Sequence, residues 1–185
     1  MGSLWTIIVG AIVALVGGGA SGAALTSWIQ HRRVERERQD AKRYLAHVLA
    51  FEFERYAIAC ADKIADGEGD RPDEREPGKM GSLPEIFTLP QNTAYQWLEP
   101  DLVERIFAFP QDVGVARNGL AYIWQVADGF DYDDNARARL AEFGLNAAAI
   151  ATELRVRNGI APRRLESGQW NILDYLQKSA QTRAR

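Results

Sequence analysis

The chain has 185 residues, with 25 acidic against 22 basic side chains and a single cysteine. This length allows one modest domain and one further segment, and the lone cysteine excludes an intramolecular disulfide and a multi-cysteine metal site. Residues 1–30 carry no charged side chain, whereas residues 31–51 hold six Lys or Arg and three Asp or Glu. Such blocks predict different surroundings for the two segments.

The first predicted element is an apolar run from Leu4 to Trp28. As a helix it would extend about 37 Å, which exceeds a hydrocarbon core of roughly 30 Å. Trp5 and Trp28 lie at its two ends, and indole rings favour the headgroup level of a bilayer. Arg32 and Arg33 follow the run, and no basic side chain precedes it. The positive-inside rule therefore predicts a single-pass anchor with its N-terminus outside and the rest of the chain in the cytoplasm.

Two other interpretations of this run are weaker. A cleaved signal peptide begins with a basic segment, which Gly2 and Ser3 do not supply. Residues 17–22 match the GxGxxG pattern of dinucleotide-binding loops. That pattern needs a short strand before it and a second strand after it, whereas residues 4–16 are too long for the first strand and residues 30–66 are typical of a charged helix.

Small residues recur every four positions within the predicted anchor, at Gly10, Ala14, Gly18 and Gly22. Residues spaced in this way share one face of a helix, where a second backbone can approach closely. We therefore expect this face to pair two membrane helices, with a homodimer as the simplest arrangement.

The rest of the chain is predicted to be helical. One apolar stripe advances at helical spacing through Leu45, Leu49, Phe53, Tyr56, Cys60 and Ile64. A second advances through Ala136, Leu140, Phe143, Ala147, Ile150 and Leu154. Pro110 is predicted to end a short helix over residues 102–109, with Asp112 capping the next one. The main helices are expected at 44–66, 112–128, 134–158 and 168–181.

These elements predict an all-α protein with an N-terminal transmembrane helix, a helical stalk and a small antiparallel helical bundle. We assign residues 1–30 to the anchor and 31–43 to a charged juxtamembrane stalk. Residues 44–182 form the cytoplasmic domain, with a mobile acidic loop at 67–82. This layout resembles a broad set of small bacterial proteins that have a membrane anchor and a cytoplasmic helical domain. The resemblance rests on layout and on no specific motif, so it indicates neither a particular activity nor functional residues. We expect the anchor to lie in a bacterial inner membrane.

The strongest metal-like pattern has Asp131, Asp133, Asn135 and Glu142 at the first, third, fifth and twelfth positions of a calcium loop. The sixth position of such a loop requires glycine, but here it is Ala136. We therefore interpret the aspartates as helix-capping residues and expect Asp133 or Asp134 to begin the helix. We expect neither a metal nor a cofactor.

Two reactive or charged features also have simpler interpretations. Cys60 lies on the apolar stripe and is expected to be a buried structural thiol. The basic cluster of Arg155, Arg157, Arg163 and Arg164 invites a nucleic-acid interpretation, but few aromatic residues accompany it. We expect partners in the lipid bilayer and in an unidentified protein, and none in nucleic acid.

The functional prediction is a membrane-tethered helical interaction or scaffold module. The alternative is a membrane-tethered enzyme whose site is assembled from dispersed acids such as Glu99, Asp101 and Asp112. A polar cleft with converging carboxylates would favour the enzyme, and an exposed apolar face would favour the module.

Overall fold

A computed structural model of the protein describes residues 20–68, 78, 80–91, 93–163, 166–167 and 170–181. The chain divides into two compact units, residues 1–41 and 42–185. No helix within the described ranges is both long and apolar enough to cross a bilayer. Most of the predicted anchor, residues 4–19, lies outside those ranges.

The fold is all-α, as predicted. Helix α1 spans Ala20–Glu68, and a short 3-10 helix spans Thr93–Trp97. Helices α2, α3 and α4 span Pro100–Val126, Gly129–Arg157 and Ile172–Gln181. Both predicted apolar stripes are buried, the first on α1 and the second on α3. They form the core of the second unit with residues of α2 and α4.

Helix α2 passes through Pro110 without ending, so the predicted break there, and the predicted cap at Asp112, were wrong. Proline removes one backbone hydrogen bond and costs a helix interior about 3 kcal/mol. The buried residues of α2 continue on one face across this position, at Ile106, Phe109 and Val113. Burial of that continuous face offsets the cost of the proline.

Helix α3 begins five residues earlier than predicted, because Asp128 caps it. Its carboxylate accepts hydrogen bonds from the backbone N–H groups of Phe130 and Asp131, at 2.9 and 2.8 Å. Asp133, predicted to cap the helix, is instead fully buried. Its two oxygens accept hydrogen bonds from the backbone N–H groups of Gly78 and Met80, at 2.9 and 3.0 Å.

The last predicted helix also begins later than expected. Residues Glu166–Ser167 (β1) pair antiparallel with Trp170–Asn171 (β2) in place of its first turn. The side chain of Asn171 then accepts a hydrogen bond from the backbone N–H of Leu173 at 3.0 Å and so caps α4.

The contacts between helices give their directions. Helix α3 is antiparallel to α1 and to α2, whereas α1 and α2 run in the same direction. The contacts that establish this for α1 and α3 are Glu54 with Arg155, Cys60 with Gly144 and Glu68 with Arg137. For α2 and α3 the contacts are Asp101 with Arg157 and Phe109 with Phe143. For α1 and α2 the contacts are Lys42 with Glu99 and Phe53 with Phe109. The long connection between α1 and α2 returns the chain to the start of the bundle, which makes this parallel pair.

Candidate interaction surface

The second half of α2 exposes an apolar face. Val115, Tyr122 and Val126 are 72%, 65% and 64% exposed, and Gly119 between them is exposed as well. These four residues, which we call the α2 outward face, are separated by four, three and four positions. At 3.6 residues per turn they lie within an arc of about 60°. They therefore form one continuous stripe about three turns long.

This face is opposite the side of α2 that packs on the core. Val113 and Leu120 are buried and lie about 140° around the helix from the stripe. A surface helix ordinarily presents charged and polar residues on the side away from the core. Here that side carries two valines, a tyrosine and a glycine. The arrangement is typical of a helix that has a partner on both sides.

The same half of α2 carries almost no charge. From Val113 to Val126 the one charged residue is Arg117, in a chain with 25% charged residues. Its guanidinium group is directed inward, where it donates hydrogen bonds to the backbone carbonyls of Leu83 and Pro84. The α2 outward face can consequently be covered without removing a charged group from water.

A groove of about 280 Å³ runs beside the α2 outward face, between α2 and α3. Its apolar wall includes Ala116, Ile123 and Phe143, and it borders Gly119. Asp112 and Arg139 lie at its polar side. The groove could accept an apolar ring with a polar end, because both kinds of group line it.

Neither the groove nor the packing of this chain requires glycine in the second half of α2. A Cβ atom added at Gly114 or Gly119 would meet nothing within 4 Å. Glycine in a helix interior costs about 1 kcal/mol relative to alanine. Gly119 thus has no explanation in the contacts of the described residues, and a close approach from outside would supply one.

The second half of α2 is held in place by contacts on its inner side. The rings of Trp124 and Tyr132 meet edge to face at 4.9 Å. Gly78 lies against Trp124 and has a φ of 84°, so a side chain there would be strained and would strike the indole. Asp133 fixes the backbone at Gly78, as described above. These contacts hold the α2 outward face in a defined position.

The residues predicted for a membrane interface are only partly within the described ranges. Gly22 belongs to α1, whereas Trp5, Gly10, Ala14 and Gly18 are outside them. The guanidinium group of Arg32 lies over the Trp28 ring at 4.1 Å, and Trp28 is 52% exposed. Arg33 donates to Glu37 at 3.0 Å on the same helix. The tryptophan and the two arginines therefore share one exposed stretch of α1.

The three acids considered for an enzyme do not converge. Lys42 donates to Glu99 at 3.1 Å. Desolvation acts to raise the pKa of Glu99, but the hydrogen bonds that its carboxylate accepts and the charges of Lys42 and Arg157 together lower it. Asp101 forms a two-pronged ion pair with Arg157, whose hydrogen bonds lower the pKa of Asp101. Asp112 lines the separate groove described above, about 16 Å along α2 from Asp101. A carboxyl group with a lowered pKa is a weak general base near neutral pH.

The other chemical candidates have structural roles. Cys60 is fully buried, and burial raises the pKa of its thiol to about 12. The calcium-like positions lie in the helical turns of α3, where Asp133 binds backbone N–H groups and Glu142 pairs with Arg139 at 2.7 Å. Among the residues with described positions, no group of three potential ligands could hold a metal ion.

The basic cluster is largely paired with acids. Arg155 and Arg163 both contact the buried Glu54, and Arg157 contacts Asp101 and Glu153. Arg164 lies outside the described ranges. The three described arginines are consequently part of the bundle and not a free cationic surface.

The sequence interpretation missed the α2 outward face, although a signal for it was present. By their spacing, one side of this helix carries Val113, Ala116, Leu120, Ile123 and Ala127. Of these residues, Val113 and Leu120 are buried. The residues of the α2 outward face form a further apolar stripe on the other side of the same helix. This stripe, together with the near absence of charge, would have indicated an exposed apolar face.

Comparison with known proteins adds no relative: no family model, no curated protein and no solved structure matches this chain.

Proposed function

We propose that this chain is a membrane-tethered helical interaction module that binds a protein partner through the α2 outward face. The observation that carries the proposal is the exposed, uncharged stripe formed by Val115, Gly119, Tyr122 and Val126 on a helix whose other side packs on the core. Exposed apolar patches of this kind mark interaction sites. Tyrosine at the centre is a residue type enriched among the residues that dominate binding energies.

The tether in this proposal is the apolar run from Leu4 to Trp28. Its support is the length of the run without a charge and the exposed pair of Trp28 and Arg32, which suits the boundary between lipid and water. The positive-inside rule favours an outside N-terminus and a cytoplasmic helical domain in a bacterial inner membrane. The small-residue face from Gly10 to Gly22 would pair the anchor with a second one.

Crosslinking in intact cells tests the module directly. A photo-reactive phenylalanine analogue would replace Tyr122 in the full chain, and a matched variant would carry it at Tyr44. Both tyrosines are similarly exposed, at 65% and 68%, but Tyr44 lies on α1, away from the α2 outward face. We expect a discrete crosslinked product at position 122 at least about tenfold more abundant than at position 44. Equal or absent products at position 122 would contradict the proposal.

Topology requires a separate measurement. A reporter active only in the cytoplasm, fused after Arg185, is expected to be active, and a reporter active only outside the cytoplasm is expected to be silent. The opposite result would reverse the orientation.

A further inference from the structure

We propose that α1 binds the phosphate group of an anionic phospholipid through Arg32 and Arg36, on the side of the helix that carries Trp28. This inference rests on the proposed membrane tether and names the class of lipid that lies against it. It follows from the ion pairs along α1, from the contact between Arg32 and Trp28, and from the exposed apolar residues beside them.

The ion pairs of α1 divide its arginines into two sets. Residues 31–40 contain four arginines and three acids. Two of these arginines are each close to a glutamate on the same helix, Arg33 to Glu37 at 3.0 Å and Arg38 to Glu35 at 3.9 Å. Within the described residues, neither Arg32 nor Arg36 forms an ion pair with an acid. The helix therefore neutralises two of its four guanidinium groups and leaves the charge of the other two uncompensated.

The two uncompensated arginines lie side by side. Trp28, Arg32 and Arg36 are separated by four positions each, so they lie within an arc of about 80° on one side of the helix. Residues 27–40 are all exposed in the described chain, so this side is open to a ligand. The Cβ atoms of residues four apart on a helix are about 5–6 Å from each other. Both arginine side chains can consequently reach the same phosphate group.

Trp28 gives Arg32 a defined place. The Cζ atom of Arg32 lies 4.1 Å from the centre of the Trp28 ring, which is a cation–π contact. A guanidinium group has five N–H donors, and within the described residues no carboxylate accepts a hydrogen bond from Arg32. These donors match the oxygens of a phosphate, with which arginine forms strong charge-assisted hydrogen bonds.

The surroundings of the two arginines favour a lipid over other anions. A shallow recess of about 430 Å³ on α1 is lined by both of them together with Trp28, Ile29, Arg33, Glu37 and Asp40. Ile29 is 54% exposed, and the Trp28 ring beside it is about half exposed. Aliphatic and indole groups next to guanidinium groups match the acyl chain and the phosphate of a lipid at the bilayer boundary.

The acid on this side of α1 lies farther from the proposed boundary than the arginines do. Arg32 and Arg36 are about 6 and 12 Å along the helix from Trp28, and Asp40 is about 18 Å from it. Helical side chains lean toward the N-terminus, which here is the direction of the apolar run. Long arginine side chains can therefore extend back to the headgroups, whereas the short side chain of Asp40 cannot. Uncompensated positive charge at that level favours an anionic lipid over a zwitterionic one.

Competition between two lipids tests this inference in the full chain. The purified chain, in micelles of an uncharged detergent, would receive equal amounts of phosphatidylglycerol and phosphatidylcholine. Native mass spectrometry would then count the lipids that remain bound. We expect bound phosphatidylglycerol to exceed phosphatidylcholine at least about tenfold. In the double variant Arg32→Gln with Arg36→Gln, we expect this preference to fall to about twofold or less.

The matched control is the double variant Arg33→Gln with Arg38→Gln, which removes the same charge from the two paired arginines. It should keep a preference of at least about fivefold. Equal losses in the two double variants, or no preference in the parent chain, would overturn the site. Glycerol phosphate, which lacks acyl chains, should not displace the bound lipid at about tenfold excess. Displacement would indicate a site for soluble phosphates and would overturn the lipid as its occupant.

Extraction of isolated membranes with alkaline carbonate tests the tether separately. A chain that stays in the membrane but shows no preference for phosphatidylglycerol would keep the proposed tether and lose this inference. A chain that carbonate releases, but that still selects phosphatidylglycerol in detergent, would lose the tether and keep the lipid site.

Discussion

Helix α3 and the second half of α2 both carry many apolar residues, but they differ in what covers them. Fourteen of the 29 residues of α3 are buried, because α1, α2 and α4 all pack against it. In the second half of α2, from Val113 to Val126, only Val113 and Leu120 are buried. Apolar content alone therefore does not separate a core helix from a binding helix. What separates the two kinds of helix is the number of sides on which other helices pack.

The two regions also use polar groups differently. Helix α3 brings charged groups inward, where Arg155 binds the buried Glu54 and Asp133 binds two backbone N–H groups. The α2 outward face has no charged group to place. Substitutions within α3 should therefore change folding stability, whereas substitutions on the α2 outward face should change association.

The largest expected effect is at the buried ion pair. Arg155 donates to both oxygens of Glu54, at 2.5 and 3.0 Å, and also binds the carbonyl of Ala161. Among the residues that the structure describes, Arg155→Met would leave the buried carboxylate of Glu54 with Arg163 as its remaining cationic partner, at 3.3 Å. We expect the free energy of unfolding to fall by about 3–5 kcal/mol in urea titrations followed by tryptophan fluorescence.

The matched control is Arg157→Met, two residues further along α3 and on its exposed side. Its ion pairs with Asp101 and Glu153 are open to solvent, so its loss should be much smaller. An equal loss of unfolding free energy in the two variants would show that burial does not distinguish these arginines. The expected difference between buried and exposed charged groups would then be wrong.

A smaller loss is expected at Asp133. In Asp133→Asn one oxygen is replaced by an N–H₂ group, which cannot accept the hydrogen bond from Gly78 or Met80. One backbone N–H group then remains unsatisfied in a buried place, at a cost of about 1–3 kcal/mol. Hydrogen exchange should quicken at the amides of Gly78 and Met80. Asp62→Asn, at an exposed position on α1, should leave both amides unchanged.

The helical stripes could be predicted from the sequence because they depend on local spacing. A residue three or four positions from another on a helix shares its face wherever the helix is placed. The stripe from Leu45 to Ile64 and the stripe from Ala136 to Leu154 are accordingly buried as predicted. The all-α class follows from the same local signal.

Features that depend on distant residues could not be predicted in this way. The buried role of Asp133 requires the backbone at Gly78 and Met80, which is more than fifty positions away. The passage of α2 through Pro110 depends on the core that its buried face contacts. The α2 outward face was visible as a pattern, but its exposure depends on which neighbours the fold brings to that side.

Replacing a glycine by alanine in each helix, at Gly144 in α3 and at Gly119 in α2, tests the comparison of the two regions. A Cβ atom at Gly144 in α3 would lie 3.1 Å from Cβ of Cys60 and 3.0 Å from Cδ1 of Leu176. Leu176 can adjust its side chain, but Cys60 Cβ is fixed by the backbone of α1. Gly144→Ala is therefore expected to lower the free energy of unfolding by about 1 kcal/mol, as overpacking exceeds the gain in helix propensity. An increase would show that α1 and α3 can separate at little cost.

At Gly119 the same substitution should have the opposite sign. A methyl group there meets nothing within 4 Å, and position 119 has an ordinary helical conformation. Alanine restricts the unfolded chain and favours the helix, so Gly119→Ala should raise the free energy of unfolding by about 0.5–1 kcal/mol in dilute protein. A decrease would mean that the chain's own packing requires this glycine, and Gly119 would no longer support a partner at the α2 outward face. If the domain gains stability while the crosslinked product at position 122 becomes less abundant, the glycine is present for association at the expense of the single chain.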